Sequence, residues 1–256
     1  MTPPLIFVHG MWSTPATFDR LRARLEALGH QTVAPALPWH DRDPGLPPPR
    51  ELGHVTVEDY VRFLVAEIER LPEPPVIIGH SMGAVLAQIV AQRVPHTGLV
   101  LLAPAATAST SQLAVSTVRT VARVVTRWGW WNEPTLPDPD QARWGVYNGV
   151  PNEIADAEIA ALTWDSGRVL AEMVLPSLST TGATRVNYGK LTAPALVVAG
   201  ADDRIAVPAI ARATARKLSG KVDYHELADT GHWLFWGAVE QRVGGLIEDW
   251  LGQFDG

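Results

Sequence analysis

Four short groups of residues carry the chemistry that this sequence offers. The first is Gly79-His80-Ser81-Met82-Gly83, a serine with a glycine two places to either side. Where a strand passes directly into a helix, small flanking residues are needed because the backbone of the central residue is strained and a neighbouring side chain would clash. Such a turn raises the Ser81 hydroxyl above the sheet. It also places the Met82 N–H at a helix N-terminus, where developing negative charge is stabilised. The plainer alternative is a glycine-rich turn whose serine only caps the helix. The second group is His9-Gly10, whose next amide, that of Met11, supplies a second donor to the same charge. Paired with the serine turn, it becomes more than a loop glycine beside a structural histidine.

A serine nucleophile needs a base within hydrogen-bond reach, and the base needs an orienting acid. Of eight histidines, His232 in Thr230-Gly231-His232-Trp233 is the best base, because it falls in the loop between the last strand and the last helix. His225 lies inside a strand pattern, His30 and His96 lie at helix-to-strand turns, and His40 and His54 flank a proline-rich loop. His80 would point elsewhere from the same turn as Ser81. The acid lies in Gly200-Ala201-Asp202-Asp203, just beyond a strand end, where a carboxylate can hold the base in its working tautomer. Asp202 and Asp203 compete, since successive side chains diverge and only one can serve. His40, Asp41 and Asp43 together hint at a metal site, but in a proline-rich loop they are expected to be solvated turn residues.

These groups need a scaffold that brings them to one edge. Short apolar runs alternate with amphipathic stretches, as βα units do. The expected strands are 5–8, 31–34, 75–78, 98–103, 195–199 and 221–227. The expected helices follow Thr14-Pro15, open at Thr56, and cover 81–92, 208–217 and 235–251. Strands alternating with helices imply a mostly parallel central sheet with helices on both faces. Residues 105–191 carry no convincing strand and are too long for a simple connection. They are expected to form a helical cap inserted between late strands, leaving 1–104 and 192–256 as the core. Trp128 and Trp131 from that insertion, with Trp12, His80 and Trp233 beside the motifs, are the expected substrate contacts. The positions 128, 130 and 131 do not share one helical face, so some of these tryptophans must pack instead.

The 256 residues are 46 % hydrophobic and 19 % charged, which excludes a disordered or collagen-like chain. A net charge of −6 leaves no electrostatic footprint for nucleic acid or anionic membranes. With no cysteine, a disulfide framework, a thiolate metal site and a cysteine nucleophile are all excluded. No run approaches a membrane span and no leader pattern precedes Leu5, so a cytoplasmic location is expected. There is no phosphate loop and no dinucleotide or zinc-protease motif, so neither cofactor nor metal is expected.

The order His-Gly, Gly-x-Ser-x-Gly, Gly-x-x-Asp, Gly-His resembles the α/β-hydrolase superfamily, in its serine esterase and lipase branch, and nearly the whole chain from Leu5 to Leu251 can be laid on that fold. The resemblance implies Ser81 as nucleophile, His232 as base and Asp203 as acid, with Asp202 second. It implies Met11 and Met82 as the oxyanion donors. Two departures stand out. Pro208 comes five residues after the acid where four is usual, and Ala84 replaces a frequent second glycine. Serine at the elbow disfavours the dehalogenase and epoxide-hydrolase branches. The implied activity is hydrolysis of a carboxylic ester, and with no cluster of arginines or lysines in an obvious register of the cap, an uncharged apolar or aromatic small molecule is the expected substrate. A carbon–carbon bond hydrolase or a hydroxynitrile-lyase-like enzyme is the alternative, and a homodimer stays open.

Overall fold

The computed structural model of the protein describes residues 2–112, 114–174 and 182–254. Its strands are β1 (Leu5–Val8), β2 (Thr32–Val33), β3 (Val76–His80), β4 (Gly98–Leu102), β5 (Pro134–Thr135), β6 (Asp165–Ser166), β7 (Ala195–Gly200) and β8 (Val222–Leu227). Six of them form one sheet in the order β2-β1-β3-β4-β7-β8, every pair parallel. A parallel sheet covered on both faces needs strands that are apolar at every position. β1, β4 and β7 meet that demand, β3 meets it up to His80 at its end, and all four are buried along their whole length.

Alternate residues of each strand feed opposite cores. Leu5 and Phe7 of β1 pack with Leu21 and Leu25 of α1 (Asp19–Ala27), and with Val243 and Ile247 of the last helix, Gly237–Leu251. Ile6 and Val8 pack on the other face with Tyr60 and Leu64 of α2 (Val57–Ile68) and Val85 and Ile89 of α3 (Met82–Ala91). Each such side chain contributes about 1.5–3 kcal/mol through removal from water. The Thr56 hydroxyl accepts from Asp59 N–H while the Asp59 carboxylate accepts from Thr56 N–H, a reciprocal cap that fixes where α2 begins.

Between β4 and β7 lie α4 (Val115–Val125), α5 (Pro139–Gly145), α6 (Asn152–Ala160) and α7 (Gly167–Val174). Beyond β7 come α8 (Pro208–Lys217) and the last helix, α9. The expectation that 105–191 holds no strand needs correction. Within it β5 and β6 pair antiparallel, Pro134 with Ser166 and Thr135 with Asp165. Two residues each are too few for an alternating pattern to be read. Among the described residues no helix is long and apolar enough to cross a membrane.

The sheet order reverses between β1 and β3. β1 connects outward to β2, whereas β3 connects the other way to β4. A crevice opens beyond the carboxyl ends of strands at such a point. Gly10 follows β1 there and Ser81 follows β3.

Candidate active site

Ser81 holds φ 56° and ψ −118° between β3 and α3. This left-handed conformation costs a non-glycine residue about 1–3 kcal/mol and persists only where the surroundings impose it. Here they do. Ser81 N–H donates to Leu102 O at 3.0 Å, and Ser81 O accepts from Ala84 and Ala105 N–H at 3.1 and 3.2 Å. The flanking glycines are sterically required. A Cβ on Gly83 would overlap the Val8 carbonyl, and one on Gly79 would overlap that of Gly83.

His232 Nδ1 lies 2.7 Å from Asp203 Oδ2, both side chains buried. The other oxygen, Asp203 Oδ1, accepts from the Ile205 and Ala206 amides at 2.9 and 2.8 Å. With Nδ1–H directed at the carboxylate, Nε2 carries the imidazole lone pair. Asp202 is exposed, and it is the backbone of Asp202 that matters. Its N–H donates to Thr230 O at 2.9 Å, tying the Asp203 loop to the His232 loop, and its carbonyl accepts from Asn148 Nδ2 at 2.9 Å. The geometry therefore separates the two aspartates, and the extra residue before Pro208 does not disturb Asp203.

Gly10, Met11, Ser81, Met82 and His232 line one cavity. Among the described residues the Met11 and Met82 amides donate to no other protein group, so both remain available to a ligand. The cavity comprises about 1190 Å³ of atom-free space counted to its open mouth. Val118 and Val121 of α4, Ala142 of α5 and Leu170, Met173 and Val174 of α7 form much of its far wall, with Tyr147, Leu162, Ile205 and Ile210. Ser111, Gln112 and Thr117 supply the polar side chains there. Among the described residues that line it there is no aspartate, glutamate, lysine or arginine.

Of the expected substrate contacts, Trp12, His80 and Trp233 line the cavity, and Trp128 and Trp131 do not. That expectation is corrected. Trp130 is the one buried in the cluster with Trp12, Val121 and Leu170, and Trp128, 93 % exposed, stacks edge-on against Trp131 outside it. His80 is fully buried. Its Nε2–H donates to His232 O at 3.2 Å and its ring lies 4.9 Å from that of His232. Burial first, and then the neighbouring His232, push the His80 pKa well below its ordinary value, so His80 is neutral.

The structure also overturns the solvated reading of His40. Asp41 and Asp43 are exposed, but His40 is buried beneath the Met11–Trp12 loop with Asp165. His40 Nε2 lies 3.1 Å from Asp165 Oδ2, off the line of a straight hydrogen bond. Tyr60 OH donates to Asp165 Oδ1 at 2.8 Å. Burial opposes charge on both partners of this pair. Even so, Asp165 holds His40 above its ordinary pKa, while His40, Tyr60 and the Ser166 amide hold Asp165 below its own. His9 completes the group, donating from Nδ1 to Gly10 O at 2.9 Å and accepting Leu37 N–H at Nε2 at 3.1 Å. Burial and then His40 lower the His9 pKa to about 3. Sequence reasoning missed Asp165, Tyr60, Tyr147 and Asn148 as parts of the site. None stands in a local pattern, and only the isolated acid in Trp164-Asp165-Ser166 could have drawn notice. Among the described residues no group of three metal-ligating side chains could hold a metal ion.

A parallel sheet with a serine turn, a buried histidine–carboxylate pair and two free amides at one crevice defines an α/β-hydrolase architecture. The chain belongs to the Alpha/beta hydrolase family, whose model matches residues 5–243. Among curated relatives it is 30 % identical to the pyrethroid hydrolase of Sphingobium wenxiniae over 109 residues, 41 % of this chain and 36 % of that protein. A Mycobacterium phage D29 protein named as a non-heme haloperoxidase shares 33 % over 94 residues, 36 % of this chain and 32 % of that one. The chain thus spans about a third of the length of the curated relatives it matches. Its fold superposes on a monoacylglycerol lipase from Paleococcus ferrophilus with a TM-score of 0.70 at 21 % identity, over 99 % of this chain and 97 % of that one. A methylesterase from Arabidopsis gives 0.69 at 16 % identity, over 96 % and 98 %.

Proposed function

We propose that the protein is a serine hydrolase that cleaves carboxylic esters of uncharged apolar or aromatic small molecules. The observation that carries this reading is the buried Asp203–His232 contact beside a cavity that both His232 and Ser81 line. His232 Nε2 takes the Ser81 Oγ proton as Oγ attacks the acyl carbon. The carbonyl electron pair moves to oxygen, where the Met11 and Met82 N–H groups receive it. His232 then gives the proton to the departing alkoxide, leaving an acyl-serine. Water attacks that ester with His232 again as base, and the acid is released with Ser81 restored.

The lining supports an uncharged substrate. A carboxylate or ammonium brought among these apolar residues would lose its hydration with no opposite charge to meet it. α4, α5 and α7 of the insertion supply much of the far wall and act as a cap over the site. The relatives named as lipase, methylesterase and pyrethroid hydrolase support ester chemistry. The test is hydrolysis of nitrophenyl esters, acetyl to dodecanoyl, by wild type and Ser81→Ala. Turnover lost in the variant supports the reading, and a fully active variant overturns it.

A further inference from the structure

We propose that Asp165 is the positioning residue of the oxyanion loop, reaching it from the segment between β4 and β7. Asp165 does not line the cavity, so whatever it does for catalysis it does through another group. That group is the Trp12 amide, which donates to Asp165 Oδ2 at 3.1 Å. Trp12 is the residue after Met11, and it holds φ 60°, a conformation that a tryptophan adopts only under constraint. The constraint comes from β5 and from the residues that lead into β6. Thr163 N–H donates to Trp12 O at 2.9 Å, and Trp12 Nε1–H donates to Thr135 Oγ1 at 3.3 Å. Asp165 is itself fixed by Tyr60 OH and by its own neighbour Ser166 N–H, both at Oδ1, and by His40 at Oδ2.

The consequence is directional. Because Asp165 claims the Trp12 N–H, that amide is not free for substrate, and the left-handed turn at Trp12 leaves the Met11 amide as the open donor of this loop. A carboxylate has two oxygens to accept from every donor around it. Asparagine has one. In Asp165→Asn the amide oxygen belongs at the Oδ1 position, where Tyr60 OH and Ser166 N–H both donate, since His40 approaches Oδ2 off the hydrogen-bond line; this puts the NH₂ against the Trp12 N–H. Two donors then face each other and the loop loses its anchor.

This inference rests on the serine-hydrolase reading, and the experiment separates the two. Steady-state kinetics on a nitrophenyl ester and its thionoester are measured for wild type, Ser81→Ala, Asp165→Asn and Tyr60→Phe. Removing one oxyanion donor costs about 10²–10³ in kcat, so misdirecting one should lower kcat by about 10- to 100-fold. KM should stay within about twofold, since Asp165 is outside the cavity. Sulfur is larger and a weaker acceptor than oxygen, so thionoester turnover draws less on these donors. The ester-to-thionoester ratio of kcat therefore shrinks in Asp165→Asn if the donors are misaimed. It stays constant if the variant is merely less well folded, and a constant ratio overturns the proposal. Wild-type kcat in a folded Asp165→Asn, with Ser81→Ala inactive, overturns the proposal alone. An active Ser81→Ala overturns the reading and the proposal with it. Should Asp165→Asn fail to fold, Tyr60→Phe decides. It removes one anchor of the carboxylate, a smaller fall in kcat with a reduced ratio is expected, and unchanged values overturn the proposal.

Discussion

His232 Nδ1 meets Asp203 Oδ2 at 2.7 Å, while Asp202, one residue earlier, holds the loop by its backbone and leaves its side chain in solvent. Asp203→Asn keeps the shape but can present its NH₂ to Nδ1, favouring the wrong tautomer of His232. It should lower kcat by about 10³–10⁴. Asp202→Asn should stay within about twofold of wild type. Parallel steady-state assays check the pair, and equal losses would contradict this division of roles.

Gly83 and Gly245 predict opposite signs for the same substitution. A Cβ on Gly83 overlaps the Val8 carbonyl, whereas one on Gly245, in α9, meets nothing within 4 Å. Gly83→Ala should destabilise the protein by about 1–3 kcal/mol or more, because backbone and not a flexible side chain must move. Gly245→Ala should stabilise it by about 0.5–1 kcal/mol through helix propensity. Urea unfolding of both variants measures the contrast.

Trp128 is exposed and off the cavity, so Trp128→Ala should leave kcat/KM unchanged across the ester series. Leu170 faces the cavity from α7, and Leu170→Trp should shift the preference toward shorter acyl chains by filling its far wall. A chain-length profile that moves with Trp128 and ignores Leu170 would refute the assignment of the pocket.

Buried neutral histidines make stability sensitive to acid. The folded pKa of His9 is lowered to about 3 from 6.5, so between those values the unfolded chain binds the proton that the folded one refuses. Stability should therefore fall as pH drops below about 6.5, by about 1.4 kcal/mol per pH unit for one such group. His80 is also lowered and steepens the fall. His40 works in the other sense. Its folded pKa is raised, so its contribution is fully present below 6.5 and is lost as pH rises through that folded value. Urea midpoints at pH 7, 6 and 5 test this, and a flat profile would contradict it.

The elements that hold the site were legible because their signals are local. An apolar run such as Leu5–Val8 can only be buried, and Gly79-x-Ser81-x-Gly83 encodes a turn whose steric demand lies within five residues. The Thr56–Asp59 cap is likewise complete within one helical turn. The tryptophans of the insertion were not legible in this way. Spacing shows that 128, 130 and 131 cannot share a face, but which of them turns inward depends on α4 and α7 packing together.

The sequence by itself determined the six parallel strands, the elbow serine and the loops that carry a histidine and an acid. The residue types left two adjacent aspartates in competition, and it is tertiary structure that brings Asp203 to His232, 29 residues away. It alone brought Tyr60 and Trp12 to Asp165, across 105 and 153 residues. The reason is physical. A buried carboxylate is stable only where several donors converge on it, and that convergence is a property of packed elements that leaves no trace in the order of the residues.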